Sequence, residues 1–273
     1  MPELPEVETI KRGLRKKVKG KKIASIKILL PKMVRRNATD REVAHRARGK
    51  KIVEVKRRGK ALLFILDSKD VLVFRLGMTG QMLWSHPRLA LRRDTHTHVI
   101  ITFAKGERIL FRDMRQFGEV FVTTEADLEE TLQMGAEPLE GDFTHETLVQ
   151  ITSSPMKIKH LLMNQRKIAG IGNIYSDEIL FEAGIHPLRP ARLLKDKELK
   201  MLHRAIVCIL TEAIACKGDT IGQYRDAFGE SGQYQNYHRV YQRGGDPCQR
   251  CHTPVKRIKL AGRSCHYCPR CQA

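Results

Sequence analysis

Pro2 and Glu3 stand at the head of the chain, in Met1-Pro2-Glu3. Removal of Met1 turns Pro2 into a free secondary amine. An α-amino group titrates near ~7.7–8.0, against ~10.4 for lysine. A sizeable fraction of it is therefore neutral at physiological pH, without the burial that a lysine nucleophile needs. Such an amine attacks an aldehyde-like carbon to form an iminium, and the Glu3 carboxyl beside it is placed to move protons. The same proline also suits the first turn of a helix, where a missing N–H costs nothing. The pair alone therefore decides nothing. While Met1 stays attached, Pro2 carries a tertiary amide and this chemistry is closed.

A second constellation lies at the other end. Cys248-x2-Cys251 and Cys268-x2-Cys271 are separated by sixteen residues, the pattern of a structural Zn²⁺ held by four thiolates. The segment has too few apolar residues to fold alone, so the metal supplies its folding free energy. Val255–Leu260 alternates as in a β-hairpin, and Ala261-Gly262-Arg263 forms or follows the turn. Such a ribbon can serve stability only. The arginines and lysines around it, Arg263 among them, favour phosphate contact as well. Cys265 reads as a small packed residue, and Cys208 and Cys216 fall in a helix.

Between these ends, Gln165-x4-Gly170-Ile171-Gly172-Asn173 joins two helical stretches. Glycines permit a tight turn, and helix amides with the Asn173 side chain suit a phosphate. Many helix-turn-helix connections look alike. A basic helix before the turn (Lys157, Lys159, Arg166, Lys167) makes a DNA-backbone clamp credible.

The elements that position these residues follow from periodicity. Residues 3–19 read as a helix, with Leu4, Val7, Ile10, Leu14 and Val18 on one face and acids early, bases late. Short β-rich runs follow over about 23–30, 52–56, 61–66, 71–76, 98–103, 108–111 and 119–122, interrupted by a helix near 40–48. Many strands without alternating helices predict a β-sandwich or barrel. Residues 135–150 read as a linker, and helices follow near 146–152, 157–165, 174–183 and 196–217. The expected domains are 1–134, a helical 151–238 and a zinc finger at 239–273. The fold class is α+β and multidomain.

The totals narrow the partner. Fifty Lys and Arg against thirty Asp and Glu leave a net charge of +20 over 273 residues, which calls for a polyanion, nucleic acid first. No apolar run is long enough to span a bilayer. No signal peptide is visible, so the chain reads as intracellular, and its cysteines as metal ligands or free thiols.

Taken in order, PELPEVET at the start, GxGNIYxDExLFxAGIHP in the middle and the four-cysteine ribbon resemble the formamidopyrimidine-DNA glycosylase family over essentially the whole chain. The resemblance implies a bacterial, cytoplasmic, monomeric enzyme of base-excision repair acting on damaged double-stranded DNA. It removes oxidised purines and cuts the strand by β,δ-elimination. It implies a helix-two-turns-helix domain and one structural Zn²⁺. Residue by residue it implies Pro2 as nucleophile, Glu3 as proton donor, Lys60 in Arg57-Arg58-Gly59-Lys60 for the first elimination, and Arg263 for phosphate and the second. Glu6 matches a second acidic position. His96, Lys159 and Asn173 match DNA contacts, and Met78, Arg115 and Phe117 match residues that fill the gap left by a flipped base. Residues 220–235 match a flexible loop over the extruded base.

The departures are Arg75 where the family has histidine, Gln116 after Arg115, a run at Ser153–Ile158 poor in lysine, and Cys265-His266 before the third ligand. The 220–235 loop also departs from the family's sequence. Two other readings use the same residues: an endonuclease VIII-like glycosylase for oxidised pyrimidines, and a non-catalytic zinc-ribbon DNA-binding protein. The second gives PELPE no role. A degenerate homologue that binds lesions without cutting has no need of Pro2, Glu3, Lys60 and Arg263 together.

Overall fold

The computed structural model describes residues 2–36, 38–87 and 94–273. Met1 lies outside them. Two bodies form. One joins the chain up to Gln133 with Cys216–Gln233, the other joins Met134–Ala215 with Tyr234–Ala273.

In the first body, α1 (Leu4–Val18) buries the apolar face expected of it, and Glu3, Glu6 and Glu8 are buried with it. Two four-stranded antiparallel sheets follow. One has the order β1 (Ile23–Ile28), β6 (Thr97–Phe103), β7 (Arg108–Asp113), β5 (Gly80–Ser85). The other runs β2 (Ile52–Arg58), β3 (Ala61–Leu66), β4 (Asp70–Arg75), β8 (Glu119–Thr124). Helix α2 (Asp40–Ala47) starts at Thr39, whose hydroxyl accepts the Glu42 N–H. The sheets share a core in which Phe74 meets Phe64 and Phe111 edge-on, with centroids at 5.8 and 5.3 Å, the favoured aromatic geometry. Strand β3 is buried at every position, which is why its sequence is a continuous apolar run rather than an alternating one.

Strand β5 and the short α3 (Leu128–Leu132) were not expected from periodicity. Within β5 only Gly80 and Met82 are buried, so the apolar signal is thin. Its outer edge is covered: the Trp84 N–H donates to the Ala227 carbonyl at 2.8 Å. A covered edge cannot pair with another chain. That bond is one reason why 216–233, expected within the helical domain, packs with the sandwich body instead.

In the second body, α4 (His145–Thr152), α5 (Ile158–Met163), α6 (Asn173–Ala183) and α7 (Asp196–Ala215) pack with the hairpin β9 (Lys256–Leu260) and β10 (Arg263–Tyr267). The ribbon thus joins the helices rather than standing alone. Helix α6 is the centre, buried from Ile174 to Phe181, with Ser176, Asp177 and Glu178 inside. Among the described residues no helix is long and apolar enough to cross a membrane.

Candidate active site

Pro2 and Glu3 lie immediately before the first turn of α1, and both are buried. The turn is closed by Glu6, whose Oε2 accepts the Glu3 N–H at 2.7 Å. This is the return half of a capping box. The second Glu6 oxygen, Oε1, accepts the Asp219 N–H at 2.8 Å. At Gly218 φ is +82° and a Cβ would stand 2.7 Å from Glu6 Oε1, so only glycine fits there. Burial, with the Glu6 charge beside it, pushes the Tyr224 phenol up; its hydroxyl donates to the Lys217 carbonyl at 3.2 Å. One carboxylate therefore ties the head of α1 to the root of the 216–233 segment.

Lys60 sits in the two-residue turn Gly59–Lys60 between β2 and β3, where Arg58 pairs with Ala61. The turn is held from inside. Arg57 donates to the Gly59 carbonyl at 3.1 Å and to Glu8 Oε2 at 3.1 Å, and the Arg57 and Glu8 side chains are only 5% and 9% exposed. Burial pushes the Glu8 carboxyl up, but bonds from Lys11 and Arg12 and the Arg57 charge outweigh it and hold the carboxyl below its ordinary value. The helix that presents Pro2 and the turn that presents Lys60 are thus braced by one ion pair.

Met78, Arg115 and Phe117 come together on two adjacent loops. Met78 is 40% exposed and Phe117 57%, unusual for large apolar side chains, and the Arg115 guanidinium lies 5.0 Å from the Phe117 ring centroid. Buried Asp113 organises both loops. Its carboxylate accepts the Gly118 N–H at 2.7 Å, the Arg115 N–H at 3.3 Å and the Thr79 hydroxyl. Gly77 has φ +61°, and a Cβ there would meet Gly118 N and Phe117 C at 2.7 Å, so the loops touch backbone to backbone. His98 is buried and bonds the Asp113 carbonyl at 2.9 Å. His96 holds the same strand end through its own carbonyl, which accepts the Asp113 N–H at 2.9 Å, and its side chain is half-buried beside Arg112.

In the second body Asn173 opens α6. Its Oδ1 is buried without a partner among the described residues, a state that native structures rarely leave unexplained. Gln165 shapes the preceding turn: its amide donates to Ile171 O at 2.7 Å and accepts from Gly170 N at 2.9 Å. Arg263 is exposed at the first position of β10, after the turn residues Ala261 and Gly262, both at positive φ. This is the pattern of a type I′ hairpin.

Lys159 departs from the expectation. It is 1% exposed. Its ammonium donates to Asp177 Oδ1 at 2.6 Å and to the Ser264 carbonyl at 3.1 Å. A buried, paired ammonium is not a phosphate contact, and Lys159 is a structural cation. Asp177 also accepts the His266 N–H at 2.9 Å, so the pair docks β10 onto α6 one residue from Arg263. Glu178 does the same for the incoming chain, accepting the Arg239, Val240 and Tyr241 N–H groups at 2.9, 3.0 and 2.8 Å. Glu8, Asp177 and Glu178 stand inside the quoted motifs, but their bracing and docking roles, like those of Asp113 and Gly218, were not visible from the sequence, because their partners are distant in the chain.

The sulfurs of Cys248, Cys251, Cys268 and Cys271 all lie within 4.8 Å of one another. The Cys248–Cys271 and Cys251–Cys268 separations are 3.9 and 3.5 Å. Zn–S bonds of ~2.3 Å in a tetrahedron require about 3.8 Å between sulfurs, so the set fits a structural Zn²⁺. Cys265 lies outside it, and burial pushes its thiol up to about 12.

Comparison with known proteins gives the same picture at each level. Residues 1–120 match the formamidopyrimidine-DNA glycosylase N-terminal domain, 134–225 its H2TH domain, and 245–273 the zinc finger found in FPG and IleRS. The chain is 41% identical over 276 residues to the formamidopyrimidine-DNA glycosylase of Geobacillus kaustophilus, covering all of both chains. It is 44% identical over 273 residues to that of Carboxydothermus hydrogenoformans, again covering all of both. The fold superimposes on Lactococcus lactis Fpg in complex with abasic-site DNA with a TM-score of 0.91 at 35% identity, covering 99% of each chain. It is equally similar to MutM in complex with carbocyclic 8-oxo-G DNA, with a TM-score of 0.90 at 35% identity and the same coverage.

Proposed function

The chain belongs to the formamidopyrimidine-DNA glycosylase family, and from that membership we propose that it excises 8-oxoguanine and formamidopyrimidines from duplex DNA and then cleaves the strand as an AP lyase. The observation that carries this reading is the braced head of α1, where Pro2 and Glu3 are buried and fixed through Glu6, and where Glu8 and Arg57 hold the Lys60 turn.

The chemistry balances with these residues. The freed Pro2 nitrogen donates its lone pair to C1′, the glycosidic bond breaks, and the base leaves with a proton. Glu3 protonates O4′ as the sugar opens, which leaves an iminium between Pro2 and C1′. The iminium acidifies C2′. Loss of that proton, with Lys60 assisting, expels the 3′ phosphate, and a second elimination with Arg263 on the phosphate expels the 5′ phosphate. Water then releases the sugar fragment and restores the amine. The Zn²⁺ supplies folding free energy to the ribbon. Asn173 and His96 serve as phosphate contacts, and Met78, Arg115 and Phe117 fill the space vacated by the flipped nucleotide. A single chain carries the whole set as a monomer.

The test is borohydride trapping on a duplex with 8-oxoguanine opposite cytosine. The expected result is a covalent adduct mapping to Pro2 and absent from Pro2→Gly. Tight binding without an adduct would sink the reading. More adduct on thymine glycol than on 8-oxoguanine would move it to oxidised pyrimidines.

A further inference from the structure

The carboxy-terminal end of α1 carries a feature that the reaction above does not use. Lys16, Lys17, Lys19, Lys21 and Lys22 meet Lys105, from the turn between β6 and β7, around a cavity of about 720 Å³. Part of this cluster has a local explanation, since cations are favoured at a helix carboxy terminus. Lys19 pairs with Glu54 at 2.9 Å and Lys21 with Glu107 at 2.7 Å. Lys17 lies 5.7 Å from the Phe228 ring centroid. Lys16, Lys22 and Lys105 are exposed and form no ion pair among the described residues. Among the described residues Glu107 is the one acid lining the cavity, and Lys21 already neutralises it. The local field is strongly positive and concave, a shape that concentrates polyanions.

The floor is aromatic. Trp84, half-buried, packs on Phe103 with centroids at 5.8 Å, and the Lys21 ammonium lies 5.9 Å from its ring. Lysine ammoniums lining a concave surface neutralise the phosphates of a duplex backbone, and Trp84 stands where it senses their occupancy. The fifteen residues of α1 separate this cavity from Pro2 by about 22 Å, so a phosphate held here is remote from the reacting sugar.

We propose that this lysine cavity is a second DNA site, which holds backbone phosphates of a duplex segment other than the one under repair. The inference rests on the DNA-repair reading above. A second handhold of this kind lets the enzyme pass from one segment to another without release into bulk solution, the use to which sequence-independent binding is put in search.

The chain holds a single tryptophan, so Trp84 emission reports the cavity directly. The experiment uses protein trapped by borohydride on a short lesion duplex, then titrated with undamaged duplex. The expected result is quenching of Trp84, with a midpoint that rises steeply with salt. The triple variant K16Q/K22Q/K105Q should trap on the short duplex as the wild type does, yet need at least tenfold more second duplex. Its salt slope should fall by about two to three, one for each phosphate no longer neutralised. No quenching by the second duplex, or an equal titration by the variant, overturns the proposal. So does a failure of the variant to trap on the short duplex, which would assign the lysines to the primary footprint. Quenching by tripolyphosphate but not by duplex also overturns it, in favour of a small polyanion. If no adduct traps at all, the catalytic reading fails on its own, and the same titration on free protein, with variant against wild type, still decides the cavity.

Discussion

Lys159 shows where charge counting stops. Its position in a basic stretch marks it as a phosphate contact, yet the fold spends it on Asp177, eighteen residues later. Sequence reports the sign of a side chain and not its burial or partner. Removing one member of a buried pair leaves the other uncompensated, at about 3–5 kcal/mol. We therefore expect Lys159→Met to lower the thermal midpoint by many degrees while leaving the salt slope of DNA binding unchanged, and Lys159→Met with Asp177→Leu to recover little of it, because the buried His266 N–H then loses its acceptor. A variant with native stability and a slope reduced by one would return Lys159 to the DNA interface. Asp113 illustrates the complementary failure. The resemblance singles out Met78, Arg115 and Phe117, which the structure places on adjacent loops, but the acid that aligns those loops ends a strand like any other and has no signature of its own.

At the level of elements, α1 was legible to within a residue because amphipathic periodicity and charge placement agree. What periodicity could not give is the brace from Glu8 to Arg57 and so to the β2–β3 turn. Its consequence is pH-dependent stability. The folded pKa of Glu8 is depressed, so its contribution is fully present above the unfolded value, near ~4.3. It is lost as pH falls through the lower folded value. Glu8→Gln should destabilise on the order of 3 kcal/mol at neutral pH, slow the elimination step that the proposed mechanism gives to Lys60, and converge with wild type only as pH falls through the depressed folded value. Midpoint curves that stay parallel into acid would show that the brace is electrostatically idle. Strand β5 escaped notice for a different reason: its stability comes from β7 on one side and Ala227 on the other, not from its own pattern.

For the molecule as a whole, the four cysteines were the most readable feature, because metal ligation is encoded in short spacings. Chelation at neutral pH should strip amide protection from β9 and β10 and leave β2–β4 protected, since the sandwich has its own core. Affinity for a lesion duplex should fall at least tenfold, about 1.4 kcal/mol. Unchanged protection in the ribbon after metal removal would mean that Phe181, Val240 and Val255, which pack among the cysteines, suffice to fold it.

The 216–233 segment has a root and a crown with different freedoms. Its root is bonded through the Asp219 N–H to the Glu6 carboxylate that also closes the first turn of α1, with Gly218 packed too closely on that carboxylate to carry a side chain, and it is clasped by Gly232 N–H on the Thr220 hydroxyl at 2.7 Å and Gln233 N–H on the Cys216 carbonyl at 2.8 Å. A change at the root is therefore also felt at the head of α1, where Pro2 and Glu3 lie. Ile221–Gln223 is held elsewhere: the Ile221 N–H donates to Asp219 Oδ1 at 2.7 Å, the Gln223 carbonyl accepts from the Gln81 amide, and the Gln223 amide reaches Met114 Sδ at 3.3 Å. We expect exchange of Ile221–Gln223 to change which lesions are cut while trapping at Pro2 persists, and a graft that includes residues 218 and 219 to alter both.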